Sequence, residues 1–509
     1  MVDPIPVLLA ASPLFVIFLL IAGLRWSLIR TGIAAWLWTA AVAVLAGGAG
    51  LAVIAVSQAK ALILAIDVLP IVWGALLFFV VCEDAGVIQA VGDGLTRAIP
   101  WKGLRALTLA WAFASFLQGA GGFGVPVVIT APLLLTAGFT PLQALTLPFI
   151  GHAWAVTFGS LGTSFQALMS ASGLGADMLA GPSAILLGIL CLLSGIMVGL
   201  SGSDKGEFRR LLPIVFAVGA AMAGTQYLLA VSGFWQIGSL GGGLAGLLVI
   251  FIAARFIRGR DPALAYQPDR KFIIGLSAYL VLMMVIICAR WIAPLRDALQ
   301  AIVWKPVIPE VATSLGFITP AGEAARIAPF GHPGALLAYS AIAVFILFRS
   351  LGWYPSNPAG RILRGTARRA VPVSVGILLM VGVSTILSYS GMTSQLAEGL
   401  TASVGGAFPA LAPWLGAVGA FLTGSNTNSN LMFAPLQQDM ARALGVRQDI
   451  LLAGQTGGGA VGSVLSPAKV GVGSVAFESG LKDGDIIRKL LLPIGLLLLA
   501  ASLFTIALD

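Results

Sequence analysis

The chain has 509 residues, of which 58% are apolar and only 10% charged, and glycine contributes another 63. A soluble domain carries about 25% charged residues. With a mean hydropathy of +0.99, lipid is the solvent for most of this chain, which excludes a cytosolic enzyme, a secreted disulfide scaffold and a disordered protein.

The net charge of +9 calls for no nucleic-acid partner, because cytoplasmic loops of membrane proteins collect Lys and Arg. Cys82, Cys191 and Cys288 sit in or beside apolar stretches, without metal or disulfide spacing. No cofactor is expected. The first twenty residues lack a basic leader and carry Asp3, so they read as a first span rather than a signal peptide.

Stretches of about 20 apolar residues can cross a bilayer. They are predicted at 7–24, 31–56, 60–82, 142–174, 182–202, 211–231, 235–255, 272–293, 334–349, 371–388, 448–475 and 488–508. The fold class is all-α and polytopic, with about twelve full crossings. Two more apolar stretches, 104–138 and 409–443, are interrupted by Gly, Ser, Asn and Pro. Taken as re-entrant hairpins, with both termini outside, they leave 21 of the 29 Lys and Arg in inner segments and seven outside. Lys469 alone falls within the membrane.

The chain then divides into N-terminal spans (1–85), a first hairpin and broken helix (86–180) and scaffold spans (181–293). An outer loop follows (294–333), a lid or an oligomer contact, then further spans (334–400). A second hairpin and broken helix (401–480) and a last span (481–509) complete it.

The interruptions match. Phe116 to Val127 reads FLQGAGGFGVPV, and Phe421 to Pro435 reads FLTGSNTNSNLMFAP. A second break follows each, at Thr157 to Phe165 and at Gly454 to Pro467. Gly119 and Gly424 are 305 residues apart, as are Ser160 and Leu465. Paired breaks in an inverted repeat, meeting near the midplane, are the mark of a secondary transporter. Unwound backbone in lipid requires protein or a water-filled cavity around it. Helix N-termini there offer free N–H groups to an anion, while freed carbonyls and hydroxyls suit a small cation.

The candidate substrate-binding residues are therefore Gln118, Gly119, Ala120, Gly121, Gly122, Phe123 and Gly124 at the first tip. Ser160 and Thr163 belong to the first unwound crossing. Gly424, Ser425, Asn426, Thr427 and Asn428 form the second tip, and Ser463, Ser466 and Lys469 the second unwound crossing. Ser425, Asn426 and Thr427 are also a candidate Na⁺ site. Against this, small residues in membrane helices often serve only close packing.

Asp67, one turn before Pro70 in the third span, is a candidate carrier of the coupling ion, or a structural bond to backbone freed by the proline. His152 relays protons or merely satisfies a carbonyl. Lys469 attracts an anion, snorkels, or pairs with Asp67. His332, in GHPG of the outer loop, reads as structural. No Walker motif, zinc-ligand helix or nucleophile elbow is present, so ATP-driven pumping and intramembrane hydrolysis lack support.

Several blocks resemble the bacterial L-lactate/glycolate permease family: FLQGAGGFGVPVVITAPLL, WAVTFGSLG, ILSYSGM, WLGAVGAFLTGSNTNSNLMFAPLQ and the TGGG to VLSP region. The likeness spans nearly the whole chain, in the family's order. It implies proton-coupled uptake of a small 2-hydroxymonocarboxylate such as lactate or glycolate across the bacterial inner membrane. The wider ion-transporter group that the family resembles implies elevator-like motion in dimers. Some lactate permeases carry Glu at the position of Gln118 and Asp at that of Asn426, where this chain has neutral amides. Those with a Lys in the second break have it near Ser463, whereas here it is at 469. That leaves sodium coupling, another small organic anion, and an uncoupled anion channel as alternatives. A membrane receptor would not need paired breaks.

Overall fold

Leu45 and Leu51 are among the most exposed side chains of the molecule, while Asn428, Ser429 and Asn430 are buried. That is the reverse of a protein folded in water and the arrangement expected in lipid. The structure, a computed structural model, describes residues 4–20, 24, 26–99, 101–121, 125–258, 270–466, 469–470 and 483–509.

Among these, nine helical stretches are long and apolar enough to cross a membrane, against the twelve predicted. The first half opens with α1 (Pro4–Phe18), α2 (Leu28–Leu45) and α3 (Leu51–Asp84). The predicted crossing at 31–56 is thus split, because a turn with Gly48 in the left-handed region separates α2 from α3. Amphipathic α4 (Val87–Ala98) leads to α5 (Lys102–Ala106). A wider-wound segment, Leu107–Phe113, joins α5 to α6 (Ala114–Ala120), and α7 (Val125–Thr136) returns. A Thr140–Gln143 capping box starts α8 (Pro141–His152), and after an unwound stretch α9 (Thr163–Ser172) completes the crossing.

α10 (Ala176–Gly202), α11 (Lys205–Leu229) and α12 (Gly238–Arg258) pack in sequence, with a left-handed Gly233 at the α11–α12 corner. α13 (Arg270–Trp291) and short α14 (Ala293–Leu299) precede two small antiparallel pairs. β1 (Val307–Ile308) pairs with β4 (Gly322–Glu323), and β2 (Val311–Ala312) with β3 (Ile318–Thr319). The loop at 294–333 is therefore partly ordered by its own ladders.

The second half comprises α15 (Pro333–Ser350), α16 (Pro358–Tyr389) and α17 (Met392–Val404), then the hairpin α18 (Phe408–Thr423) and α19 (Asn426–Leu444). α20 (Gln448–Gly462) and α21 (Asp483–Leu508) follow. The order hairpin, helix, break thus occurs once in each half.

Two packing groups position the site. α3 lies against both α15 and α16, while the α18–α19 hairpin packs on α20 and α19 lies along α9. Glycine sets the closeness of the second group. A Cβ at Gly458 would sit 1.9 Å from the Pro413 carbonyl oxygen, and one at Gly416 2.1 Å from that of Gln455. The TGGG run thus stays helical as a contact surface for α18, and unwinding begins only at Ser463.

Candidate functional site

Gly424 ends α18 in the left-handed region, and Ser425 caps α19 by accepting from the Asn428 N–H at 3.3 Å. This turn delivers a run of small polar side chains to the end of α8 and the middle of α20. Asn426 Nδ2 donates to the Thr456 carbonyl and to Thr157 Oγ1, both at 3.2 Å. Thr157 and Thr456 hydroxyls are 3.1 Å apart. One turn along α19, Asn430 Nδ2 donates to the Ser164 carbonyl and to Thr456 Oγ1, both at 2.9 Å. The hydroxyls of Thr427 and Ser164 meet at 3.1 Å. The second tip, the first break and the middle of α20 therefore share one buried polar centre.

Two of these amides have a fixed orientation, because Asn426 and Asn430 each donate to a carbonyl, which can only accept. Their Oδ1 atoms, with that of Asn428, are buried and have no hydrogen-bond partner among the described residues. Unfilled acceptors in a buried network are costly, and they suit a hydroxyl donor or a hard cation. The first-turn N–H groups of α19 have no intrahelical partners and favour negative charge.

The first break is strained. Ser160 and Leu161 have φ of 48° and 53°, and Gly162 follows at 81°. L-residues in that region cost energy and persist only where surroundings enforce them; here Thr163 Oγ1 donates to the Ser160 carbonyl at 2.7 Å. Gln118, on α6, packs against Gly159, and its buried Oε1 has no partner among the described residues. Gly119 and Ala120 are still helical, and the space where a Gly119 Cβ would go is filled by Leu240 of α12. Gly121 caps α6 and faces Phe79. Gly122, Phe123 and Gly124 lie outside the described residues.

On the second crossing, Lys469 Nζ donates to Ser463 Oγ at 3.0 Å. Ser463 is one turn beyond Gly459, which abuts Asn426 Oδ1. Ser466 is buried where the helix ends, and its carbonyl accepts from the Lys469 N–H. His152 Nδ1 donates to the Pro148 carbonyl at 2.5 Å, and its buried Nε2 has no partner among the described residues. Lys469 is near enough for its charge to act on this ring.

Asp67 does not pair with Lys469. Its Oδ2 accepts from Gln166 Nε2 at 2.7 Å and from the Ser170 hydroxyl, both on α9. Its Oδ1 lies 3.4 Å from His332 Nε2. A cavity of about 470 Å³ borders His332, but Trp73, Leu77, Trp304 and Ile327 make its lining apolar and unsuited to a carboxylate. Sequence reasoning passed over Thr456, Asn430, Ser164, Gln166 and Ser170 as site residues. Only Asn430 carried a signal, four residues after Asn426 and so on the same helix face.

A polytopic membrane protein whose helices break around one buried polar centre is the class that this fold and site define. Within that class, the chain belongs to the L-lactate permease family, whose sequence profile matches residues 6–509. It is a transporter, not an enzyme. It is 29% identical to the L-lactate permease of Salmonella typhimurium, over 82% of this chain and 81% of that one. The L-lactate permease of Escherichia coli is 28% identical with the same coverage, and the glycolate permease GlcA of Escherichia coli 24% identical, again with the same coverage. Among solved structures it is similar to the Alcanivorax borkumensis YdaH transporter (TM-score 0.47, 17% identity, 88% of this chain and 87% of that one).

Proposed function

We propose that this protein is a secondary active carrier of a small 2-hydroxymonocarboxylate, L-lactate or glycolate, taken up with protons across the bacterial inner membrane. The observation that carries the reading is the polar centre of Asn426, Asn430, Thr157 and Thr456 at the joint of two broken crossings and a hairpin tip. The α19 N-terminus and the Lys469 ammonium would hold the carboxylate. The 2-hydroxyl donates to an unfilled amide oxygen of Asn426 or Asn430. Asp67 carries the coupling proton, with His152 as a second proton-accepting group. The relatives' names supply the substrate class.

The Lys and Arg distribution supports the orientation with both termini outside, and contacts between helix ends agree with the grouping of segments on two sides. Arg361 and Arg369 pair with Asp84 and Glu83, all assigned inside. Lys60 donates to the Ala324 carbonyl and the Arg447 N–H to Asp509, all assigned outside. Re-entrant hairpins, an elevator motion of α8–α9 and α18–α20 against the α3, α15 and α16 group, and a homodimer complete the proposal.

Sodium coupling is the second reading, favoured by the three unpartnered Asn Oδ1 atoms at 426, 428 and 430. These are hard oxygen donors of the kind such a cation takes. Counterflow tests the carrier itself: proteoliposomes preloaded with unlabelled L-lactate should transiently concentrate external labelled L-lactate. A channel only equilibrates the label.

A further inference from the structure

We propose that His332 and Asp67 form a protonation-sensitive latch joining the site-bearing helices α9 and α19 to the α3–α15 pair. The proposal deepens the reading of Asp67 as the coupling residue and rests on it. His332 starts α15, and its Nδ1 accepts from the Gly334 N–H at 3.2 Å. That nitrogen therefore carries no proton, the ring is neutral, and its Nε2–H faces the Asp67 carboxylate. The tautomer is fixed by the helix cap rather than by the acid it serves.

Around Asp67, Gln166 and Ser170 donate to Oδ2, while His332 Nε2 stands 3.4 Å from Oδ1, in ion-pair range but without a hydrogen bond among the described residues. The shell is built for a carboxylate. A proton on Oδ1 would set two donors face to face, and the capped imidazole cannot change roles to relieve them. A proton on Oδ2 forces Gln166 or Ser170 to turn from donor to acceptor. In either case the link between α3 and α9 is remade.

That link leads to the polar centre through one short helix. α9 bonds Asp67 through Gln166 and Ser170, while its Ser164 holds Thr427 and Asn430 of α19 and its Ser172 carbonyl accepts from Gln438 of α19. α9 and α19 therefore move as a unit, and Asp67 is a polar clasp between that unit and α3. Other charges are few. Lys60, on α3 itself, acts on Asp67 and donates to Ala324. Of the elements packed on α3, α15 brings His332 at its start and Arg349 in its last turn; α6, α9, β1, β2 and the Ser160–Gly162 turn bring no charge. Arg361 and Arg369 of α16 pair with Asp84 and Glu83 at the far end of α3, where α4 also begins, with Asp93; α16 further carries Arg364 and Arg368.

The test compares His332→Asn, Ser170→Ala and Asp67→Asn in proteoliposomes, scoring proton-driven L-lactate accumulation against pH. Asn at 332 keeps a cap acceptor for Gly334 but is too short to reach Asp67. With the imidazole N–H dipole gone from beside Oδ1, the carboxylate takes its proton more readily, so half-maximal accumulation should move to higher pH by about one unit. Ser170→Ala should move it the same way, and it carries the test alone if the His332 variant does not fold. A purely structural His332 would lower the amount of folded protein without moving the profile. Native pH profiles in both variants, with accumulation lost in Asp67→Asn, would overturn the latch and leave the coupling role of Asp67 standing. Native accumulation in Asp67→Asn would remove that role, and the latch with it.

Discussion

Asn426 holds the second hairpin tip to both broken crossings through a single side-chain amide, and this makes it the residue most sensitive to a change of one atom. In Asn426→Asp only the protonated acid can donate to the Thr456 carbonyl; the carboxylate would face it acceptor to acceptor. Uptake by that variant should fall as pH rises, where the native protein's Asn426 imposes no such dependence. A pH series of initial uptake rates checks this. Lys469→Met removes the ammonium from beside Ser463, and loss of a charge-assisted hydrogen bond of about 2 kcal/mol should raise the KM for L-lactate more than tenfold. Unchanged KM would remove Lys469 from the substrate site. At this scale the sequence was legible where chemistry is local: Asn426 and Thr427 stand out as polar residues in an apolar run. It was silent about Thr456, hidden among helical glycines, and about His332, which meets Asp67 only because α15 packs on α3.

The elements show how one residue type serves two ends. Gly424 and Gly162 occupy left-handed backbone at breaks, whereas Gly458, Gly459 and Gly462 lie within a regular helix pressed against α18 and Asn426. Composition alone does not separate these roles, which is why the second break, expected from Gly454, begins only at Ser463. Gly458→Ala should therefore destabilise by about 1–3 kcal/mol through overpacking against the Pro413 carbonyl, read as a lower thermal midpoint in detergent. The same substitution at Gly206, which has open space where a Cβ would go, should leave that midpoint unchanged. The hairpin–helix–break order was readable in both halves because proline, glycine and small polar residues interrupt apolar runs at equal spacing. Helix ends were less so: an apolar run such as 31–56 gives no sign of where two helices part except Gly48, whose conformation is seen only in the fold.

For the whole molecule, membrane class, helical architecture and family were all readable from composition and blocks of sequence, because lipid imposes one rule on every span. The site required the fold, since it joins residues about 270 to 300 positions apart, such as Thr157 to Thr456 and Ser164 to Asn430. Coupling is a property at this scale as well. Asp67→Asn should abolish accumulation above the medium concentration while exchange of labelled for unlabelled substrate continues, because the polar centre itself remains intact. A carrier driven by an ion gradient and selective for a 2-hydroxy acid is best probed by L-lactate uptake into proteoliposomes under a proton gradient and, separately, a sodium gradient. Accumulation with protons alone is expected. Accumulation with sodium alone would move coupling to the Asn oxygens of the hairpin tip, and no accumulation under either gradient would rule out such a carrier.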